Sequence, residues 1–223
     1  MRRIIAGFVF VAAAVTAAVN LCAQEPLNLD ELALGVKRNQ ESLKDYSWES
    51  RVTFAVNGVQ KRVDEFRIRY DNSGFLERLQ TSSTVDKHKI RRADGKKLSK
   101  DEREAAHDFA VEVKSQLDGY LSPLFAEKAV KTGTLTANED TYLLRARNVV
   151  KEGDEVELTL VRATRLPLTL HAVSTVGDSP VTLDVRFETL DYGPSHPVSS
   201  VTRSTWQGLE LTITTANSNY VKR

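Results

Sequence analysis

The polarity of the chain changes its period several times, and each change marks an element. Leu29, Leu32, Ala33, Val36 and Leu43 recur at helical spacing, which predicts one amphipathic helix from about Leu29 to Asp45. Asn28 or Asp30 is placed to cap it. The remaining face, Lys37, Arg38, Asn39, Glu41 and Lys44, belongs in water. From Tyr46 the period becomes two. Tyr46, Trp48, Val52, Phe54 and Val56 share one side, with Ser47, Glu49, Arg51 and Thr53 on the other, as in a half-buried strand. Asn57-Gly58 tolerates positive φ twice and predicts a tight hairpin. The return strand carries Val59 and Val63, then Phe66, Ile68 and Tyr70. Its phase slips between them, which predicts a β-bulge near Asp64-Glu65.

Turns at Asp71-Asn72-Ser73-Gly74 and Ala93-Asp94-Gly95 bound expected strands at 75–84 and 85–92. A helical stretch then interrupts the strands. Ser99 with Glu102 three residues on is a capping box. Phe109, Val113 and Leu117 form the docking face of a helix over 100–117, ended by Asp118-Gly119. A second short helix is expected from Pro123 to about Val130. Strands resume at 142–150, 155–162, 166–172, 181–188, 198–206 and 209–213. Their inner face takes Val156, Leu158 and Leu160, then Leu166, Leu168, Leu170 and Ala172, then Val181, Leu183, Val185 and Phe187.

No fixed repeat and no low-complexity linker divides the chain, so residues 24–223 read as one domain with a helical insertion near 99–130. Such alternation belongs to an antiparallel sheet with one wet and one apolar face. About ten strands are too many to stay flat. The expected fold is therefore mainly β (α+β): a curled antiparallel sheet forming an incomplete β-barrel, its concave face covered by a few helices. Whether that interior is packed solid or encloses a cavity stays open at this level.

The first residues define a compartment. Met1-Arg2-Arg3 is followed by an apolar run, Ile4 to Leu21, and then Cys22-Ala23. This is the layout of a secretory signal peptide over 1–23, cut after Ala23. It predicts an exported protein, periplasmic or secreted, with no transmembrane span after cleavage. A retained anchor needs about 20 apolar residues, which the run approaches. Lipidation at Cys22 is the other alternative, although Leu21 is larger than a lipoprotein processing site normally accepts. A cut after Ala23 removes the only cysteine, so no internal disulfide is expected.

Charge excludes one class of partner. The 31 basic residues less Arg2 and Arg3 leave 29 against 30 acidic ones, a balance unlike that of a nucleic-acid-binding domain. The local exception is Lys87, His88, Lys89, Arg91, Arg92, Lys96 and Lys97. Such a cluster is a solvated hairpin edge that discourages edge pairing, or a contact for anionic lipid headgroups or an acidic partner.

Candidate chemistry is sparse. His88, His107, His171 and His196 stand in no HExxH or HxH arrangement, so no metal site and no cofactor is expected. His107 and His171 read as solvated, and His196 as part of a tight loop. Ser195-His196 adjacency does not make a triad, and no GxSxG, GxxxxGK[ST] or GxGxxG occurs. The expectation is a non-enzyme. Twelve apolar residues are candidates to line an interior pocket: Trp48, Val52, Phe54, Phe66, Ile68, Leu158, Leu160, Leu168, Leu170, Val185, Phe187 and Trp206. Individually each reads as ordinary core.

The layout resembles the bacterial lipoprotein-carrier family, the LolA/LolB-like group of exported lipid-binding envelope proteins. The likeness rests on the leader, the helix ending Leu43-Lys44-Asp45-Tyr46 and the strand opening Trp48-Glu49-Ser50-Arg51-Val52. Arg165-Leu166-Pro167-Leu168, where a Leu-Pro opens a late strand, and the closing Asn217-Ser218-Asn219-Tyr220 add to it. The resemblance implies an incomplete barrel whose apolar cavity carries lipid or lipoprotein acyl chains across the periplasm. Segment 96–112 is more polar than the lid of that group. The competing expectation is an envelope sensor or protein-interaction module with a packed core and an envelope protein partner. An envelope hydrolase would need Ser195 or His196 in a pocket with an acid.

Overall fold

The computed structural model of the chain describes residues 29–71, 76–86, 90–92, 95–191 and 193–223. The leader expected at 1–23, with Cys22, lies outside the described residues. Helix α1 (Leu29–Leu43) leads into strands β1 (Tyr46–Val56), β2 (Val59–Tyr70) and β3 (Leu76–Val85). Helices α2 (Lys100–Tyr120) and α3 (Pro123–Thr132) follow. Seven strands complete the chain: β4 (Thr134–Ala137), β5 (Thr141–Arg147), β6 (Glu155–Val161), β7 (Pro167–Val176), β8 (Ser179–Thr189), β9 (Ser195–Trp206) and β10 (Leu209–Lys222).

The ten strands form one antiparallel sheet in the order β3-β2-β1-β10-β9-β8-β7-β6-β5-β4. Its edges, β3 and β4, do not pair, so the barrel stays open. Nearly every neighbour is a hairpin partner. Asn57 (φ 51°) and Gly58 (φ 73°), and again Gln207 (φ 48°) and Gly208 (φ 76°), adopt the left-handed conformations that two-residue hairpins need. The exception is β1 against β10, which joins Val52 to Thr215 and Phe54 to Ile213.

Bulges bend the sheet. The register of β2 against β3 shifts between Glu65 and Phe66, close to the expected place, but the extra residue is Thr81 on β3. Further extra residues are Lys61 on β2, Val198 on β9 and Asn219 on β10, the last with φ 55°. Another bulge corrects the sequence reading. Thr159 faces Thr169 but Leu160 faces Pro167, so Leu168 is the bulged residue of β7. It turns outward and is 39% exposed, against the inner position that strict alternation gave it.

Other boundaries also move. Of the expected strand at 85–92, Val85 is the end of β3 and Arg91 makes an isolated bridge to Lys97, while 87–89 lie outside the described residues. The tenth strand is instead the short β4. Helix α2 runs past Asp118-Gly119 to Tyr120, whose hydroxyl donates to Asp154 at 3.0 Å. At the end of α3 the chain lies against β5 so closely that a Cβ on Gly133 would sit 2.6 Å from Leu144 Cδ1 and 3.0 Å from the Arg145 carbonyl oxygen.

The main core lies between the sheet and the helices. Leu32 and Val36 of α1 and Phe125, Ala129 and Val130 of α3 pack on Leu144, Leu158, Leu160, Leu170, Leu183 and Val185. A smaller cluster joins Phe109 and Val113 of α2 to Val176, Val181 and Ile213. Three of the buried polar residues stand where the sequence reading had put a solvated face, a loop or a turn. Asn39 is buried rather than solvated, because its amide donates to the Ser195 carbonyl at 2.8 Å and accepts from the Ser195 N–H at 2.7 Å. His196 is buried within β9 rather than in a loop. Asp154 accepts from the N–H groups of Val149, Val150 and Lys151 as well as from Tyr120. The convex face stays wet through exposed cross-strand pairs such as Arg145–Glu157 and Arg203–Asp184.

Asn39→Ala removes the clamp between α1 and β9 and strands two buried backbone groups of Ser195. A loss of about 2–4 kcal/mol is expected by urea unfolding, against less than about 0.5 kcal/mol for the exposed neighbour Lys37→Ala.

Candidate functional site

The concave face divides into a solid part and a hollow part. Beneath α1 and α3 the strands β5 to β8 are filled: Leu144, Leu158, Leu160, Leu170, Leu183 and Val185 are nearly all fully buried. Beneath α2 the strands β1, β2, β9 and β10 are not filled. A chamber of about 740 Å³ lies there, lined by Val52, Phe54, Val56, Phe66, Val85 and Ile90, with Ala106, Phe109, Ala110 and Val111 of α2 and Trp206, Leu209 and Leu211. A smaller space of about 200 Å³ continues from it toward α1, lined by Trp48, Ile68, Tyr70, Leu117, Tyr120, Ile213 and Tyr220 among others. Val52, Phe66 and Lys114 border both, so the two form one groove. Small-molecule sites typically occupy about 300–1,000 Å³. The chamber alone falls in that range and the smaller space does not.

The sequence-predicted residues distribute unevenly over this groove. Val52 and Phe66 line both spaces, Phe54 and Trp206 the chamber, and Trp48, Ile68, Leu158, Leu170 and Phe187 the smaller space. Leu160 and Val185 are buried in the solid part and line neither. Leu168 is on the outside. Alternation alone did not bring in the far wall, Phe109, Ala110 and Val111 on α2, although the helical period had already marked Phe109 as a docking residue. The aromatic end was also missed. There Trp48 stacks on Tyr220, with ring centroids 5.4 Å apart and planes at 13°, and Tyr70 lies 6.0 Å away. The Tyr220 hydroxyl donates to the Pro197 carbonyl at 2.9 Å. Burial pushes the Tyr70 and Tyr220 hydroxyls above the usual phenol value, so both stay neutral.

Polar groups in the groove do not converge on a reaction. Ser195 lines the smaller space, but its hydroxyl donates to the Pro167 carbonyl at 3.0 Å. His196 Nδ1 is buried without a partner, and burial holds this imidazole below its ordinary value. No carboxylate bonds to it among the described residues. Asp64, nearly fully buried beside the chamber, accepts from Arg62 at 2.7 Å and from Ser83 at 2.7 Å. Among the described residues there is no group of three side chains suited to hold a metal. Nor, among them, is any helix long and apolar enough to cross a membrane.

Helix α2, about 30 Å long at 1.5 Å per residue, forms the roof. Ion pairs tie it at both ends. At its start Arg92 pairs with Glu102, and the Ser99–Glu102 capping box is formed in both directions. The Ser99 backbone N–H, donating to the carboxylate, is the main reason that Glu102 lies below the usual carboxylate range. Near its end Asp118 takes both arms of Arg78 from β3, at 2.9 and 3.2 Å, and the ammonium of Lys114 at 2.8 Å. Burial pushes the Asp118 carboxyl up, but the hydrogen bonds from Arg78 and Lys114 outweigh it and leave it lowered. Arg78 also lines the smaller space, so this contact fastens the roof to the edge of the sheet.

The chain matches no family model and no curated protein sequence. Among solved structures it is similar to a LolA superfamily protein from Nitrosomonas europaea, at 11% identity and TM-score 0.46 over 89% of this chain and 94% of that one. A domain described as a putative outer membrane lipoprotein-sorting protein, from Vibrio parahaemolyticus, has the same identity and TM-score over 88% and 94%. MucB in its complex with MucA from Pseudomonas aeruginosa matches at 12% identity and TM-score 0.26 over 84% and 93%. The likeness to the LolA group expected from the sequence is thus met among solved structures. At these identities and scores it decides nothing about function.

A group whose folded pKa is lowered contributes stability that is present above its unfolded pKa and lost as pH falls through the folded value. Asp118→Asn should therefore destabilise the protein at pH 7. Urea titrations should show the gap to the parent closing as the pH falls below the ordinary carboxyl value of 3.8.

Proposed function

We propose that this chain is an exported, non-enzymatic carrier that holds an acyl chain of a lipid or lipoprotein in the groove beneath α2. The observation that carries this reading is the 740 Å³ chamber, whose walls are aromatic and aliphatic on both the sheet and the helix side. An acyl tail entering it exchanges water for apolar contact at about 25 cal/mol per Å². Phe54, Phe66, Phe109 and Trp206 supply the broadest surfaces. The smaller space toward Trp48 and Tyr220 receives the far end of a long tail. Release requires α2 to move away from the sheet, or a competitor to take the tail. Export through residues 1–23 fits a carrier that works in the periplasm.

One observation favours the second reading, an interaction module. Every residue of the edge strand β3 is exposed, Leu79 at 61% and Val85 at 57%. A long, uncovered edge is a template for strand addition by an envelope protein partner. The two readings predict different companions for the purified protein.

The deciding measurement is native mass spectrometry on protein taken from the envelope without detergent. The carrier reading expects a stoichiometric acylated species on the parent. It expects none on Phe54→Asp, which places a charge in the chamber, while the melting temperature of that variant stays within a few degrees. Trp206 is in the chamber wall, so a fluorescent fatty acid should quench its emission in the parent. A parent that is clean and leaves Trp206 emission unchanged, but elutes with a protein partner, overturns the carrier reading in favour of the module.

A further inference from the structure

The chamber is not apolar throughout, and its polar side has one sign in excess. Lys61, Arg62, Arg103, His107 and Lys114 line it against only Asp64 and Asp86. Most of these charges are already matched. Arg62 pairs with Asp64, Lys61 with Asp86 at 2.7 Å, and Lys114 with Asp118. Arg103 is different: it has no ion-pair partner among the described residues, and it is exposed at the chamber wall. His107 follows it at i+4, on the same face of α2. The acidic residues of this part of α2, Asp101, Glu102, Glu104 and Asp108, do not line the chamber. The segment entering α2 adds the exposed Arg91 and Lys97 next to Ile90, which is itself in the wall. A cationic rim thus stands at one side of an apolar chamber.

We propose that this rim selects the head of the ligand, so that the groove takes amphiphiles with an anionic oxyacid head in preference to uncharged ones. The inference rests on the acyl-carrier reading and names the chemistry of its cargo. The tail lies against Phe54, Phe109 and Trp206. The head sits at Arg103, whose guanidinium offers paired N–H donors that fit two oxygens of a phosphate or carboxylate. Arg62 and Lys61 are occupied by their own carboxylates, Asp64 and Asp86, so the head is assigned to Arg103. His107, one turn further along the same face of α2, stands beside Arg103 in the chamber wall.

The test uses the protein in the form the cell produces from the full chain, titrated calorimetrically with two ligands of identical tail. One is lysophosphatidic acid and the other is monoacylglycerol. The expected result is a preference of about tenfold for the phosphate-headed ligand, shrinking as salt rises. Arg103→Gln should cut that ratio to about twofold, Arg103→Lys should restore part of it, and Lys37→Gln on α1 should leave it unchanged. Excess inorganic phosphate should compete weakly, since it lacks the tail. Equal affinity for the two ligands overturns the head assignment and leaves the acyl reading standing. A preference that survives Arg103→Gln overturns Arg103 as its origin. Full displacement of the lipid by inorganic phosphate assigns the rim to free phosphate instead. Failure of both ligands to bind overturns the acyl reading and this inference together.

Discussion

Among the described residues, ten strands present one apolar face and three helices cover it. That mismatch governs the rest of the structure. Where α1 and α3 lie, the cover is double, and Leu32, Val36, Phe125 and Ala129 fill the space over β5 to β8. Over the chamber end of β1, β2, β9 and β10 the helical cover among the described residues is α2. A single helix cannot fill a concave surface of that width, and bulges at Lys61, Val198 and Asn219 bend the strands there. The chamber is what remains. Its apolar wall, Val52, Phe54, Phe66, Phe109 and Trp206, is of the same kind as the solid core, and what differs is how much of it a helix covers.

This is also why the sequence yielded one level of the site and not another. The period of two told which side of each strand faces inward, and for Trp48, Phe54, Phe66, Ile68 and Phe187 the chain follows it. It could not tell whether a helix would lie above a given position, so Leu160 and Val185 looked the same as Phe54. Local chemistry was legible where it is self-contained, as in the Asn57-Gly58 turn and the Ser99–Glu102 box. Features that depend on a distant partner were not. Asn39 looks solvated until Ser195 is placed beside it, and Leu168 looks inward until Pro167 takes its position opposite Leu160. Asp154 looked like one more turn residue, and only the arrival of Tyr120 makes it an anchor for α2.

The roof is held differently from the floor. The floor is a continuous hydrogen-bonded ladder, whereas α2 rests on a narrow apolar stripe and on charges at its ends. Phe109, Val113, Leu117 and Tyr120 are its buried residues, and none lies in the nine residues before Phe109. Its first half, from Lys100 to Asp108, is attached mainly through Arg92 and the cap. Exposed ion pairs contribute little individually. The stretch before Phe109 is therefore the part of α2 most easily lifted, and it carries Arg103 and His107 of the chamber wall.

The pairing of β1 with β10 has a consequence for the order of events in folding. Strands β4 to β10 can assemble as successive hairpins, each from nearby residues. Strand β1 precedes all of them in the chain, yet its place is beside the last one, with Val52 opposite Thr215. Contacts of such long sequence separation close slowly. The solid half can therefore form while the chain is still emerging, but the wall that contains Val52, Phe54 and Phe66 has no partner until the final strand is present. A chain delivered across a membrane from its N-terminus exposes that β1–β3 unit first and completes it last. Through that interval its greasy face is the one a chaperone would have to shield.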